Sequence, residues 1–437
     1  MKPAISKFFS IPGITRVASS IQKIIIYIKS WNKINLDKDF SCIIIGPEAF
    51  NQTKYFKKDY CYIDPLGHNI YNLNLFLIGV RIFIVNFLKN PIFYFKLIKF
   101  WPTLFFVCAF IEKKKIKSIL SLVDYNPWPV HLKKILGEKI NILAVQNSSR
   151  GYPMPKMKFL NSFDEYFVWS DLTNDQLQQH NKKTKIHRLG SLKMCFHVEK
   201  NNKWNFIQSN PTADNIKKQL YLVSSYSMVH FSFYEKHFSG LDLDQYKAKI
   251  LNADLSKMNI YEIQCMEFLH LCFYLKNFLL NTNKDIDFRI IERNPANSIL
   301  LDEEVIFYKK FFNNPKLLLE GYDEKFNTIL KDTNKDAVYV SQASNLGREV
   351  FALNLKALFF SKYMHTKNPS FYQKGNIFYS IDENQEEFNK RLETILEMKP
   401  DDYEQNKKLI NNYVHTNSPD KNDIKNFLNR TGLSFIN

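Results

Sequence analysis

The chain has 437 residues, 45% of them hydrophobic, and a formal charge of +17. That length allows two domains or more, and that apolar content excludes a globally disordered chain. The basic balance points to an anionic partner, whether phosphate, nucleic acid or an acidic membrane surface, without choosing among them.

Residues 1–40 are basic and mixed, and no cleavable signal is expected, since residues 1–30 lack a long apolar core and a small-residue cleavage site. Ser41 to Pro47 reads as a first strand closed by a Gly-Pro turn. Residues 70–111 are dense in Phe, Ile, Leu and Tyr but are broken by Arg81, Lys89, Lys96, Lys99, Pro91 and Pro102. A spanning helix needs about 20 largely uncharged apolar residues. This region therefore reads as an aromatic and basic insert that faces an anionic membrane, or as a pair of core-packed helices.

Lys117 to Val123 is the next buried strand and delivers Asp124, followed by an Asn-Pro turn. At a sheet edge this carboxylate is placed to act as nucleophile or general base in glycosyl transfer; the alternative is an Asx-turn residue that fixes the loop. Ile140 to Val145 delivers Gln146, Asn147, Ser148 and Arg150, which suit sugar hydroxyls or an acidic sugar. Strands at 164–169 and 186–189 follow, and Lys193 adds charge at the same edge. Residues 199–218 are polar and read as a linker.

A second series opens at Gln219 to Val223, ending in Ser224-Ser-Tyr-Ser227. Residues 228–258 read as irregular, Tyr261 to Leu280 as a long helix, and Asp287 to Ile291 as a strand leading into Glu292-Arg293. Val338 to Phe360 then reads as strand, Ser-rich turn, helix and strand. Ser341, Ser344 and Asn345 stand where a turn and a helix N-cap are expected, and a helix start beyond a parallel strand presents free N–H groups to an anion. Arg293 suits a phosphate through charge-assisted bonds. Glu349 suits ribose hydroxyls, or complements the helix dipole. Asn376 to Ile381 is a last short strand, and 383–437 reads as amphipathic helices.

Strands alternating with helices, each ending in polar turn residues, predict an α/β fold of two Rossmann-like domains. The expected boundaries are 1–200 for a first domain carrying an aromatic and basic membrane-facing insert near 70–111, 215–381 for a second domain, and 382–437 for C-terminal helices. Neither GxGxxG nor GxxxxGK[ST] occurs, which removes support for a dinucleotide fold or P-loop NTPase. The six cysteines form no CxxC pair and read as buried free thiols, and the ten histidines show no metal-ligand spacing. No zinc finger, RRM aromatic motif or Arg-rich arm is present, so a nucleic-acid partner is not expected.

Short motifs carry a resemblance: Asp124-Tyr-Asn, Gln146-Asn-Ser-Ser-Arg, Phe167-Val-Trp-Ser170 with Leu189-Gly-Ser191, Tyr221-Leu-Val-Ser-Ser225, and the Ser341 to Glu349 turn with its following Ala-Leu-Phe-Phe strand. Across roughly residues 40–400 the layout resembles GT-B glycosyltransferases of bacterial surface-polysaccharide synthesis, and within them the Kdo (3-deoxy-manno-octulosonate) transferases of capsule and O-antigen. The resemblance implies two Rossmann-like domains facing a cleft, the domain over 1–200 binding the acceptor and the domain over 215–381 the nucleotide sugar, with no metal and no other cofactor, and a donor that is CMP-linked by preference. It implies a glycan or glycolipid acceptor and a cytoplasmic protein, peripheral on the inner face of the membrane. It carries the nucleophile onto Asp124 and CMP handling onto Ser224, Ser225, Arg293, Ser341, Ser344 and Glu349. The chain departs from related families that carry a His-Gly pair after the equivalent strand; it has Gln146-Asn147. The competing expectations are a sialyl or polyol-phosphate transferase on the same fold, or a glycan- or nucleic-acid-binding protein without catalysis.

Overall fold

The structure is a computed structural model. It describes residues 40, 42–45, 53–57, 60–63, 73–92, 101–122, 128–146, 163–180, 183–202, 218–294, 299–312, 316–317, 329, 336–342, 344–367, 375–408 and 416–436. The first half comprises β1 (Cys42–Ile45), β2 (Tyr60–Ile63), α1 (Leu73–Lys89), α2 (Trp101–Lys114), β3 (Ser118–Ser121), α3 (Trp128–Leu136), β4 (Asn141–Val145), β5 (Glu165–Val168), α4 (Asp171–His180), β6 (Lys185–Arg188) and α5 (Leu192–Lys200). The second comprises β7 (Lys218–Val223), α6 (Met228–Phe238), α7 (Leu243–Leu251), α8 (Ile260–Asn281), β8 (Ile286–Ile291), α9 (Ile299–Phe311), β9 (Lys316–Leu317), β10 (Val338–Ser341), α10 (Asn345–Ala352), β11 (Lys356–Ser361), α11 (Met364–Lys367) and β12 (Tyr379–Ile381). Helices α12 (Gln385–Glu397), α13 (Pro400–Lys408) and α14 (Lys421–Thr431) end the chain.

The strands build two six-stranded sheets, ordered β2-β1-β3-β4-β5-β6 and β12-β11-β10-β7-β8-β9. Every pairing between these strands is parallel. Parallel strands are covered on both faces, which is why they read as continuous apolar runs. Successive side chains alternate between the two covers. In β1, Ile43 and Ile45 join the core under α1, α2 and α3, while Cys42 and Ile44 join the core under α5 and α14. In β7, Leu220 and Leu222 face α6, α8 and α9, while Tyr221 and Val223 face the opposite core. This is the α/β architecture of two Rossmann-like parallel sheets expected from the sequence.

Two helices tie the halves together. Leu192, Cys195 and Phe196 of α5 pack on the first sheet, and Met194 and Val198 of the same helix pack against Tyr221, Val223, Tyr339 and Val350 of the second. The C-terminal helices divide: α12 and α13 join the second-sheet core through Phe388, Leu392 and Tyr403, whereas α14 returns to the first through Ile424 and Phe427. Gly190 permits that return. Its φ is +87°, and a Cβ there would lie 2.5 Å from the Asn417 carbonyl oxygen.

The region read as irregular, 228–258, holds α6 and α7. α6 carries Phe231, Phe233, Tyr234 and Phe238, residues of modest helix propensity, and it is held by packing in the second-sheet core rather than by intrinsic preference. The described part of the apolar insert is helical, and α1 and α2 differ. Leu104 through Ile111 of α2 are all buried, whereas α1 lies outside α2 with one face exposed. Gly79 sets that approach, since a Cβ there would stand 3.1 Å from the Phe105 carbonyl oxygen. No described helix is long and apolar enough to cross a membrane. Cys42, Cys108, Cys195, Cys265 and Cys272 are buried free thiols.

Candidate functional site

Each sheet has a point where the chain reverses direction across it. In the second sheet β7 leads outward to β8 and β9, and the chain then returns to place β10 on the other side of β7. Ligands of open parallel sheets bind beyond the carboxyl ends at such a switch point. The register aligns Ser341 with Val223, and Val223 with Ile291, so the turns after β10, β7 and β8 lie side by side.

Two helices start there. α10 is capped by Ser344, whose Oγ accepts from the Gly347 N–H at 2.9 Å. Asn345 is its first residue. α6 starts after Ser227 without a side-chain cap, because the Ser227 hydroxyl bonds Nδ1 of His230 at 2.9 Å instead. Two sets of first-turn N–H groups, with the positive ends of their dipoles, therefore meet at the switch point. Arg293 stands exposed at the end of β8, its guanidinium donating to the Ser225 carbonyl at 3.0 Å. Ser341 ends β10, fully buried, and its hydroxyl has no hydrogen-bond partner among the described residues. Gly347 makes room for it, since a Cβ there would lie 2.3 Å from Ser341 Oγ.

Ser224 has a different part. It donates to Glu304 and accepts from Tyr308 Oη at 2.6 Å and from the Tyr226 N–H at 3.1 Å. One donor and two acceptor positions are all a hydroxyl has, so this side chain shapes the turn from within. Glu304 completes the lock, accepting from the Arg293 N–H at 3.0 Å, the Asn294 N–H at 3.1 Å and Asn294 Nδ2 at 2.7 Å. Burial pushes its carboxyl above the ordinary carboxylate range. Glu267, on α8, does the same for the turn after β11. It accepts from Ser361 Oγ at 3.1 Å, from the Tyr363 N–H at 2.7 Å and the Met364 N–H at 2.6 Å, and from Gln342 Nε2 at 3.1 Å. Burial raises its pKa to about 6 despite those four donors.

Glu349 lies in α10 at the seam between the sheets. Ser191 Oγ, from the end of the first sheet, donates to its carboxylate, and Lys193 is close enough to act on it by charge. Burial raises the Glu349 pKa, against the opposing pull of Lys193 and the Ser191 bond. Lys193 and Glu349, expected in opposite half-sites, thus sit together. Gln146 is fully buried and its Oε1 accepts from the Trp169 N–H at 2.8 Å, which clamps the ends of β4 and β5. Asp124, Asn147, Ser148 and Arg150 lie outside the described residues. Among the described residues, no three His, Cys, Asp or Glu side chains are grouped to hold a metal ion.

His230, Glu267 and Glu304 were not among the residues expected at the site. His230 is buried against Tyr226 and Phe268, and burial, then the charge of Arg293, lowers its pKa to about 3, so the ring is neutral. The Ser227-x-x-His230 spacing at a helix start is the sequence signal that would have found it. Nothing local marks the two glutamates, whose partners lie on other elements.

No family model and no curated protein matches this sequence. Among solved structures, the chain is similar to a UDP-GlcNAc 2-epimerase from Neisseria meningitidis bound to UDP-GlcNAc, at 12% identity over 89% of this chain and 99% of that one, TM-score 0.48. It is similar to the wall teichoic acid polymerase TagF at 10% identity over 97% of both chains, TM-score 0.46. It is also similar to the trehalose-6-phosphate synthase OtsA at 11% identity over 94% of this chain and 93% of that one, TM-score 0.41. Likeness at this level carries no argument about activity, and the fold assignment stands on the sheet topology.

Proposed function

We propose that the chain is a glycosyltransferase that moves a sugar from a nucleotide donor onto a surface-polysaccharide or lipid-linked glycan, without a metal. The observation that carries this reading is the pair of helix N-termini, α6 and α10, side by side at the switch point of the second sheet with Arg293 beside them. Adjacent N–H groups and a guanidinium suit the phosphate of a sugar nucleotide. Ser225, Ser341, Ser344 and Asn345 lie at the same edge, with Ser224 shaping it, and Glu349 is the proposed ribose acceptor. Asp124 is the proposed nucleophile, with Asn147, Ser148, Arg150 and Lys193 toward the sugar or acceptor, while Gln146, buried, clamps the ends of β4 and β5. The donor proposed is CMP-Kdo, with sialyl and polyol-phosphate transfer as the neighbouring chemistries. The proposed location is the cytoplasmic face of an anionic membrane.

Thermal unfolding with CMP, UDP, GDP and CDP tests this. A ligand at 100 times its dissociation constant adds about 2.7 kcal/mol to stability. A shift selective for CMP and lost in Arg293→Ala is expected. A UDP or GDP shift keeps the transferase and replaces the sugar, and no shift with any nucleotide overturns the reading.

A further inference from the structure

The exposed side of α1 is the most apolar exposed surface on the described part of the first sheet. Leu77, Ile84 and Leu88 are 61%, 51% and 75% exposed, and Val85 beside them is 47% exposed. Ile92, just past the helix, is 73% exposed. Positions 77, 81, 84 and 88 recur at helical spacing and form one stripe. The inner face is satisfied: Leu75 and Ile82 are buried in the core with α2. Among the described residues, the outer stripe is therefore surplus to folding. Isolated exposed leucines need no explanation, but a contiguous apolar face does.

Charge selects the occupant. Arg81 stands within the stripe with its side chain 76% exposed, and Lys89 ends the helix, exposed. The sequence of α1 contains no acidic residue. Glu112 of α2, 3.7 Å from Arg81, is the carboxylate in ion-pair reach among the described residues. A two-fold pairing with a second copy would bring the Arg81 and Lys89 of both copies into one drying apolar contact, which like charges oppose. A bilayer with anionic headgroups accepts the same arrangement. Apolar side chains enter the acyl boundary while the arginine and lysine stems lie along it and place their charges at phosphate depth. The helix needs only to lie flat, and its 17 residues have the length for that rather than for a span.

We infer that the outer face of α1 is a docking surface for an anionic lipid bilayer. This deepens the membrane location in the function proposed above, and selects one face of one helix for it; α2, in which Leu104 to Ile111 are buried, is excluded. The test is co-sedimentation of the full chain with phosphatidylglycerol/phosphatidylethanolamine vesicles and with phosphatidylcholine vesicles. Binding to the anionic vesicles that falls with added salt is expected. The double variant Ile84→Asp/Leu88→Asp is expected to lower partition at least tenfold, and Arg81→Gln and Lys89→Gln about fivefold each. Leu280→Asp, at an exposed leucine of α8, is expected to bind as the parent does. Failure of the parent to bind anionic vesicles, or equal binding by the double variant, overturns the inference. A concentration-dependent dimer abolished by the double variant in sedimentation also overturns it, assigning the face to a second copy. The nucleotide shift measured on the same proteins keeps the two readings apart. Its retention shows that the variants are folded, and its absence in the parent defeats the transferase while leaving the vesicle result standing.

Discussion

The turns of the second sheet and the seam between the sheets each rest on buried glutamates, and they use them differently. Glu304 and Glu267 each gather four hydrogen bonds from groups of their own half of the chain. Glu349 takes the Ser191 hydroxyl from the other half. A carboxylate saturated by its own domain fixes a turn and has nothing left to offer a ligand. A carboxylate held by a neighbouring domain links local chemistry to the relation between domains, because any ligand hydroxyl that reaches it shares the carboxylate with that partner.

The strongest break in this comparison is Glu304→Ala. It strands the Ser224 hydroxyl, the Arg293 and Asn294 N–H groups and the Asn294 amide in a buried place. About 3–5 kcal/mol of stability should be lost in urea unfolding, as for breaking a buried charged network, and the nucleotide shift should go with it. Gly190→Ala attacks the seam through the backbone. It forces a side chain into φ +87° and onto the Asn417 carbonyl, and about 2–3 kcal/mol should be lost in the same measurement.

Glu267 yields a pH test. Its folded pKa of about 6 lies above the ordinary 4.5, so the folded state holds the proton more tightly than the unfolded chain. Its contribution is fully present below 4.5 and is lost as the pH rises through 6, an effect of about 2 kcal/mol. In Glu267→Gln, unfolding followed across that window should lose this fall. The smallest effect sharpens the contrast: Ser191→Ala should cost about 1 kcal/mol while tightening nucleotide binding in calorimetry, because the ribose no longer competes with Ser191 for Glu349. Weakened binding would show that Ser191 prepares the carboxylate rather than blocks it.

What could be read in the chain followed how local the signal is. The strand from Val338, the Ser344 cap and the helix through Ala352 were legible because their causes lie within about fifteen residues: a doubly buried apolar run, a capping hydroxyl and helical spacing. The same holds for the long helix at 260–281, which opens with an Asn259 and Glu262 capping box. α6 was not legible, since its aromatic residues favour no helix until the second-sheet core holds them. Ser224 looked like a ligand group because its partners, Glu304 and Tyr308, come from a helix about 80 positions away.

By itself the sequence determined two α/β halves, the edge that carries their polar turns, and a basic, aromatic insert near 70–111. Periodicity and turn chemistry are properties of neighbouring residues, so a single chain displays them. Only the tertiary structure decided that α2 is core while α1 shows a face to the outside, that α14 returns to the first sheet, and that Lys193 and Glu349 meet. Those outcomes depend on which surfaces remain after every other element has packed, and no stretch of sequence holds that information alone.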